Sequence, residues 1–322
     1  MSSTAATVPI ILGAAKFGRP DAIADESLAQ RLVDLAAECG CTALDTARIY
    51  EGGASEKMIA RLERRSLAVD TKLYPGEGGL KPEKLRAQVA ESLAALNGVP
   101  IRVLYWHAPD RLTPFEESLE AMNELHKQGV FQEFGLSNAL SWEVAEVVTI
   151  CRERGWVRPT VYQGIYNALD RVIEDELLPC LRKFGIRFAA YSPLAGGILT
   201  GFHLNSPEAL DKNKRFNPAH PGISGFYRPR YAHSAPTLQR VKVLAERHGL
   251  TLEECGVRWI VYHSKMTPED HGVIYGASTT ERLQSVLSHH AKGPLPEEIV
   301  KEFEESWTNE LKGWVPSYSP IT

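Results

Sequence analysis

Asp45, Tyr50, Lys72 and His107 are the residues of this 322-residue chain best suited to do chemistry together. Each stands at or just beyond the end of a short apolar run. Asp45 closes CTALD, Tyr50 follows it in ALDTARIY, Lys72 closes SLAVDTK and His107 closes RVLYWH. A free tyrosine titrates at about pH 10, too weak an acid for neutral solution. A neighbouring ammonium favours the phenolate and lowers that value. Lys72 is therefore expected to make Tyr50 a usable acid, with Asp45 pairing the lysine and His107 hydrogen-bonding a substrate oxygen. An acid of this kind aimed at a carbonyl oxygen suits hydride delivery to the carbonyl carbon. Taken singly, each residue reads better as structure, for instance an Asp45–Lys72 ion pair with Tyr50 packing beside it. Four of the right types at consecutive strand exits turn the reading toward chemistry.

No side chain supplies a hydride, so such a site needs a cofactor. The last apolar run leads into VIYGASTTERLQS, where Gly276 allows close backbone approach and Ser278 or Thr279 can cap the helix that follows. Exposed N–H groups at a helix start bind phosphate. Arg282 lies in the first turn of that helix, with a fork suited to a phosphate monoester. An ordinary N-cap with a solvated arginine reads the same residues equally well.

These residues need a frame that gathers strand exits at one place. Short apolar or β-branched runs at 8–12, 42–45, 67–72, 102–106, 133–137, 161–163, 187–191 and 272–275 alternate with helical periodicity at 26–38, 55–64, 82–96, 114–127, 141–154 and 174–184. Eight strand–helix units predict an α/β fold, a (β/α)8 TIM barrel, with its active site at the carboxyl ends of the strands. Neighbouring parallel strands lie ~4.8 Å apart, so successive exits converge on one pocket. An open doubly wound sheet is the second reading, weakened because no G-x-G-x-x-G opens the first helix. Asp25, Ser55 and Ser141 read as N-caps, Pro82 and Pro114 as early helical residues, and Gly40, Gly98, Gly129, Gly155 and Gly185 as stops after helices. Residues 193–233, after strand seven, are rich in Gly, Pro, Asn and Arg and read as a long loop, a lid or a disordered segment. Extra helices are expected at 252–262 and 296–309, a tail over the active site at 311–322, and disorder at 1–7, all within a single domain spanning 1–322.

The bulk numbers agree with one globular unit. The chain is 43% hydrophobic and 24% charged, ordinary values, and α/β barrels reach this length as one domain. Lys and Arg number 36 against 40 Asp and Glu, for a formal net charge of −4. With no basic run, the charge argues against nucleic acid or an anionic membrane as partner. No apolar stretch approaches the ~18 residues that a membrane span requires, and the N-terminal apolar segment lacks the positive region of a signal peptide. The cysteines, Cys39, Cys41, Cys151, Cys180 and Cys255, are odd in number and form no CxxC pair. Reduced thiols in a cytoplasmic protein, and no bound metal, are the expectation. His263, His271, His289 and His290 read as surface residues.

Together these motifs resemble the aldo-keto reductases, a family of NADPH-dependent (β/α)8 barrels, over residues 8–290. Asp45, Tyr50, Lys72 and His107 match that family's catalytic tetrad in type, order and spacing. The resemblance implies that Tyr50 donates the proton, and that Ser137 and Asn138 in GLSN and Gln163 in VYQGIYN hold the nicotinamide carboxamide. It implies that Tyr191 stacks on the nicotinamide ring and that Ser192, Leu194 and Gly196 line the pyrophosphate. It gives Gly276, Ser278, Thr279 and Arg282 the 2′-phosphate of NADPH/NADP+. Within the family, LYWHAPD, VYQGIYN and KRFNPAHPGISGFYRPRYAHS look most like the aflatoxin-aldehyde and succinic-semialdehyde reductase branch. In that branch an arginine of the last segment meets the substrate's carboxylate. Arg228 or Arg230 would take that part, the sequence leaving the choice open, with Tyr227 and Tyr231 beside them. The implied activity is reduction of small aldehydes or ketones, carboxylated ones such as semialdehydes included, by a monomer or homodimer.

The chain departs from the family at three places. Ser285 and Val286 stand where relatives have Glu and Asn contacting adenine, and GAAKFG replaces a glycine–threonine–methionine pattern around Gly13 and Ala14. Trp106 beside His107 is larger than the usual aliphatic residue and is expected to pack outside the barrel. Two other functions compete with reduction. One is a cofactor-binding regulatory subunit resembling the potassium-channel β subunits, whose long N-terminal extension this chain is expected to lack. The other is a phosphosugar isomerase or aldolase forming a Schiff base on Lys72, disfavoured because a lysine paired with a carboxylate stays protonated.

Overall fold

A computed structural model of the chain describes residues 7–204 and 208–316. Eight parallel strands close into a barrel in chain order. They are β1 (Ile10–Gly13), β2 (Ala43–Asp45), β3 (Ala68–Leu73), β4 (Ile101–Trp106), β5 (Phe131–Ser137), β6 (Pro159–Ile165), β7 (Arg187–Tyr191) and β8 (Gly272–Tyr275). The helices are α1 (Glu26–Glu38), α2 (Ala54–Ile59), α3 (Pro82–Leu96), α4 (Phe115–Lys127), α5 (Ser141–Arg154), α6 (Leu177–Phe184), α7 (Ala209–Lys212), α8 (Pro221–Tyr231), α9 (Ala235–Arg247), α10 (Leu252–Tyr262), α11 (Thr280–His290) and α12 (Glu297–Ser306). The expected (β/α)8 barrel is therefore the fold.

The period-two alternation of the strands divides the core in two. Ile11, Ala43, Val103, Tyr105, Val161, Ala189 and Ile274 fill the barrel interior. Leu12, Leu44, Val69, Leu104, Phe134, Tyr162 and Phe188 face the helices. Trp106 belongs to this outer layer, against Phe115 and Phe134 at centroid distances of 5.9 and 5.3 Å. It packs outside the barrel, as expected. Inside, the Tyr105 ring crosses over Gly135, where an added Cβ would stand 2.2 Å from the ring. A side chain at 135 would displace that ring.

The helix signals hold in part. Asp25 caps α1 by accepting from Ser27 N at 3.0 Å, Pro82 opens α3, and all five expected glycine stops have positive φ. Ser55 and Ser141 are not caps. Ser55 lies inside α2, behind Gly53, and its hydroxyl donates to the Ala14 carbonyl at 2.8 Å. Ser141 is the first residue of α5, where Glu143 reaches back to accept from Leu140 N at 2.7 Å. In both cases a hydroxyl in the first turn of the helix found a tertiary partner, Ala14 for Ser55 and Glu176 for Ser141.

The stretch 193–233 is not one loop. It contains a 3-10 segment (Ala195–Thr200), α7 and α8, and residues 205–207 lie outside the described residues. Its Gly and Pro content suggested irregularity, but Tyr227, Arg230 and Tyr231 recur at helical spacing and bury one face of α8. The disorder expected at 1–7 falls, except for Thr7, outside the described residues, as do residues 317–322 of the tail.

Two of the four histidines expected at the surface are buried. His271 meets Asp70 Oδ2 at 3.0 Å, and Asp70 also takes a bidentate pair from Arg102 at 2.8 and 2.6 Å. His290 meets the Val8 carbonyl at 3.0 Å and the Tyr275 hydroxyl at 3.1 Å. Partners distant in sequence decide these positions. Among the described residues no helix is long and apolar enough to cross a membrane, and no group of His, Cys, Asp or Glu is placed to hold a metal ion.

Candidate active site

Asp45 ends β2 and Lys72 lies near the end of β3, and their side chains meet inside the barrel mouth. Lys72 Nζ donates to Asp45 Oδ1 at 2.8 Å, to Asp45 Oδ2 at 2.7 Å and to the Thr46 carbonyl at 2.7 Å. The lysine is fully buried and its three protons are all placed. Burial is the largest single effect and opposes its charge, but Asp45, Tyr50 and Asp70 together overcome it and hold the Lys72 pKa above a free lysine's. Burial pushes the Asp45 carboxyl up, and Lys72 and the Gln163 amide oppose it.

Tyr50 begins a tight turn (Tyr50–Gly53) after β2. Gly53 has φ 89°, and a Cβ there would overlap the Arg48 guanidinium. Arg48 in turn pairs with buried Glu56, which also accepts from Thr71 Oγ1 at 2.7 Å. This tie to β3 sets the Tyr50 ring 5.1 Å from Lys72 Nζ. Contrary to the expected lowering, the Tyr50 pKa is raised. Burial is the larger effect and Lys72 only reduces it. At neutral pH the phenol therefore keeps its proton until a strong base appears beside it.

His107 follows β4, its N–H donating to the Leu73 carbonyl at 2.8 Å. The ring stands edge-on between Tyr50 and Tyr74, 5.7 Å from each. Burial pushes its pKa down to about 3, with Lys72 adding to the effect. Its Nδ1 is buried without a partner among the described residues. A neutral imidazole with an unused polar atom at a pocket floor fits a ligand oxygen.

The residues assigned to the cofactor fall into two groups. Ser137, Asn138, Gln163, Tyr191 and Ser192 form a connected set at the ends of β5, β6 and β7. Asn138 Nδ2 donates to the His107 carbonyl and to Ser137 Oγ, both at 2.9 Å, and Asn138 Oδ1 accepts from the Tyr191 hydroxyl at 2.9 Å. Gln163 Nε2 donates to Asp45 Oδ1 at 2.8 Å, so the glutamine also joins the proton-donating set. Leu194 and Gly196 follow in the turn after β7. The second group opens α11. Thr279 caps it, accepting from Arg282 N at 3.3 Å. A Cβ added at exposed Gly276 would meet, among the described residues beyond its chain neighbours, only the Gly13 carbonyl at 3.7 Å, and Arg282 is exposed.

Sequence reasoning passed over two cations here. Lys16, after β1, has its pKa lowered by burial and then by the positive charges of Arg215, Arg19 and Arg282. Arg19 is paired with Asp21, but Lys16, Arg215 and Arg282 have no carboxylate partner among the described residues. Three unpaired cations from separate parts of the chain, beside the start of α11, suit a phosphate-rich ligand. Only proximity reveals them, since their positions in sequence carry no motif. This cluster, Gly276 and the unpartnered His107 Nδ1 together fit a nicotinamide dinucleotide phosphate.

On the substrate side the two arginines part company. Arg228 points outward, bonded to Asp211 and the Phe216 carbonyl. Arg230 is buried, bonded to Asp170 Oδ2 at 2.8 Å, with its guanidinium 4.6 Å from the Phe226 ring. Tyr227 hydrogen-bonds Ser192 Oγ at 2.7 Å, and the Tyr231 hydroxyl accepts from Asn167 Nδ2 at 3.0 Å. Arg230 is thus the arginine that joins the site residues, and Arg228 does not.

The closed eight-strand barrel brings this quartet together at its mouth, and the sequence comparison gives the class of protein. The family model described as the aldo/keto reductase family matches residues 9–308. The chain belongs to the aldo/keto reductase family and is an oxidoreductase. It is 42% identical to an aldo-keto reductase of Pseudocercospora fijiensis, over 86% of this chain and 96% of that protein. It is 38% identical to aflatoxin B1 aldehyde reductase member 2 of Mus musculus, over 96% of this chain and 86% of that one. It is 39% identical to human aldo-keto reductase family 7 member A3, over 92% and 93% respectively.

Proposed function

We propose that the protein reduces small aldehydes or ketones to alcohols with NADPH, with Tyr50 as the proton donor. The observation that carries this reading is a phenol whose ring centroid lies 5.1 Å from an ammonium paired with a buried carboxylate. Ser137, Asn138, Gln163 and Tyr191 would hold the nicotinamide end, and Lys16, Arg215, Arg282 and the start of α11 the phosphates. When bound, the reduced nicotinamide supplies the hydride for the carbonyl carbon.

The chain's own residues do the rest. Neutral His107 hydrogen-bonds the carbonyl oxygen and fixes its place between the two tyrosine rings. As the new C–H bond forms, the C=O π pair moves to that oxygen, which becomes a base strong enough to take the Tyr50 proton. The phenolate left behind faces Lys72, whose positive charge Asp45 and the Thr46 carbonyl keep aimed at the site. The raised Tyr50 pKa keeps the acid loaded at neutral pH, and Lys72 favours its discharge.

NADPH oxidation against a panel of small aldehydes, in wild type and Tyr50→Phe, tests this. The wild type is expected to turn over, and the variant to lose at least ~100-fold in kcat, the scale of a positioned general acid. Undiminished turnover in Tyr50→Phe would remove Tyr50 from the mechanism. NADPH binding with no turnover on any carbonyl compound would reject the reductase reading.

A further inference from the structure

Arg230 and Asp170 form a pair that is incompletely satisfied. Arg230 Nη1 donates to Asp170 Oδ2 at 2.8 Å. Both side chains are more than nine-tenths buried, and each keeps a buried polar atom with no partner among the described residues, Nε on Arg230 and Oδ1 on Asp170. An arginine facing a carboxylate fork to fork would leave no such pair of atoms. The other groups around them are few. The Pro316 carbonyl accepts from Arg230 Nη1 at 3.3 Å, the Phe226 ring lies under the guanidinium, and Arg230 and the Val172 N–H favour the ionised form of Asp170. Asp170 exchanges backbone hydrogen bonds with Asn167, whose side-chain amide donates to the Ser192 carbonyl at 3.1 Å and to the Tyr231 hydroxyl at 3.0 Å. The pair therefore stands beside the end of β7, where the Tyr191 hydroxyl donates to Asn138 at the barrel mouth.

An orphan donor beside an orphan acceptor, both away from water, specifies the chemistry of what completes them. A hydroxyl group can accept from Arg230 Nε–H and donate to Asp170 Oδ1 at once. A carboxylate can accept from the arginine, but it offers the aspartate nothing and brings a like charge beside it in a water-poor site. The guanidinium and the carboxylate already cancel in formal charge, so the pair holds no net attraction for an anion. An arginine standing alone there would.

We propose that Asp170 sets the substrate class of this pocket, an uncharged carbonyl compound bearing a hydroxyl group taken in preference to one bearing a carboxylate. The inference rests on the reductase reading above and replaces carboxylated aldehydes as the favoured class.

Two aldehydes of the same frame separate the cases: 4-(hydroxymethyl)benzaldehyde and 4-carboxybenzaldehyde, with benzaldehyde as the unsubstituted reference. In wild type, kcat/KM with NADPH is expected to favour the hydroxymethyl compound at least ~10-fold, and Asp170→Asn to move that ratio toward the carboxylate by a similar factor, through KM. A wild-type preference for the carboxylate, or an unchanged ratio in Asp170→Asn, overturns the proposal. If none of the three aldehydes is reduced, the pocket is read by calorimetry on wild type with 1,4-benzenedimethanol and 4-(hydroxymethyl)benzoate, while the reductase reading stands or falls on the wider aldehyde panel. Tighter binding of the diol supports the role of Asp170 without turnover or a folded variant, and tighter binding of the acid overturns it.

Discussion

Lys72→Met removes the ammonium at the centre of the site while keeping an unbranched side chain in the barrel. Three hydrogen bonds go with it, two to Asp45 and one to the Thr46 carbonyl. Asp45 is left buried with Gln163 Nε2, at 2.8 Å, as its remaining side-chain donor. Breaking a buried ion pair from one side costs about 3–5 kcal/mol, because a charge stays behind unpaired. Asp45→Asn in the same chain removes that charge, so the double variant is expected to recover to within about 2 kcal/mol of wild type. Urea unfolding of the four proteins, compared through Cm and m, gives the coupling as a double-mutant cycle. A second arm reads pH. Without Lys72, burial holds the folded pKa of Asp45 above its unfolded value, so the folded state keeps a proton that the unfolded state has released. That contribution is fully present below the unfolded value and is lost as pH rises through the folded one. Lys72→Met is thus expected to be more stable at about pH 5 than at about pH 8 relative to wild type. A loss below about 1 kcal/mol, the value of an exposed pair, or relative stability that rises with pH, would refute the buried charge pairing.

Three further outcomes follow from the same geometry. With its pKa pushed down to about 3, His107 is neutral throughout the working range. The kcat/KM profile should then carry no limb at about pH 6.5 that disappears in His107→Gln. His290 is lowered to about 4 by burial, so between a free histidine's pKa and that value the unfolded chain binds a proton that the folded chain refuses. Stability should fall across that window as pH drops, by up to about 3 kcal/mol, and an equal acid loss in His290→Gln would assign it elsewhere. Arg282→Ala should weaken NADPH by about 10-fold and NADH far less, read by fluorescence titration, since a charged bidentate partner of the 2′-phosphate is lost. Equal losses for both nucleotides would place Arg282 outside that contact.

The barrel was legible because short apolar runs alternated with helical periodicity, and five of the helices were followed by a glycine with positive φ that marked the boundary. Asp45, Lys72 and His107 could be read for the same reason: strand exits of a closed barrel must face one another. Three things were hidden. Whether Arg228 or Arg230 turns inward depends on the phase of α8, which Gly222, Gly225 and Pro229 disguise as loop. The direction of the Tyr50 shift depends on how deeply the ring is buried against how near Lys72 comes, and a sequence supplies neither. Lys16, Arg215 and Asp170 sit in three unrelated connections, and His271 and His290 find Asp70 and the Val8 carbonyl across most of the chain.

The order of these groups along the polypeptide has a consequence for how such an enzyme can diversify. The acid, its ammonium and the imidazole come from β2 to β4, tied down by Arg48, Glu56 and Thr71. Asp170, Arg230 and the tyrosines around them come from the connections after β6 and β7. On the proposed mechanism, exchanges in the later half would retune what is recognised while the earlier half went on protonating whatever oxygen was presented to it.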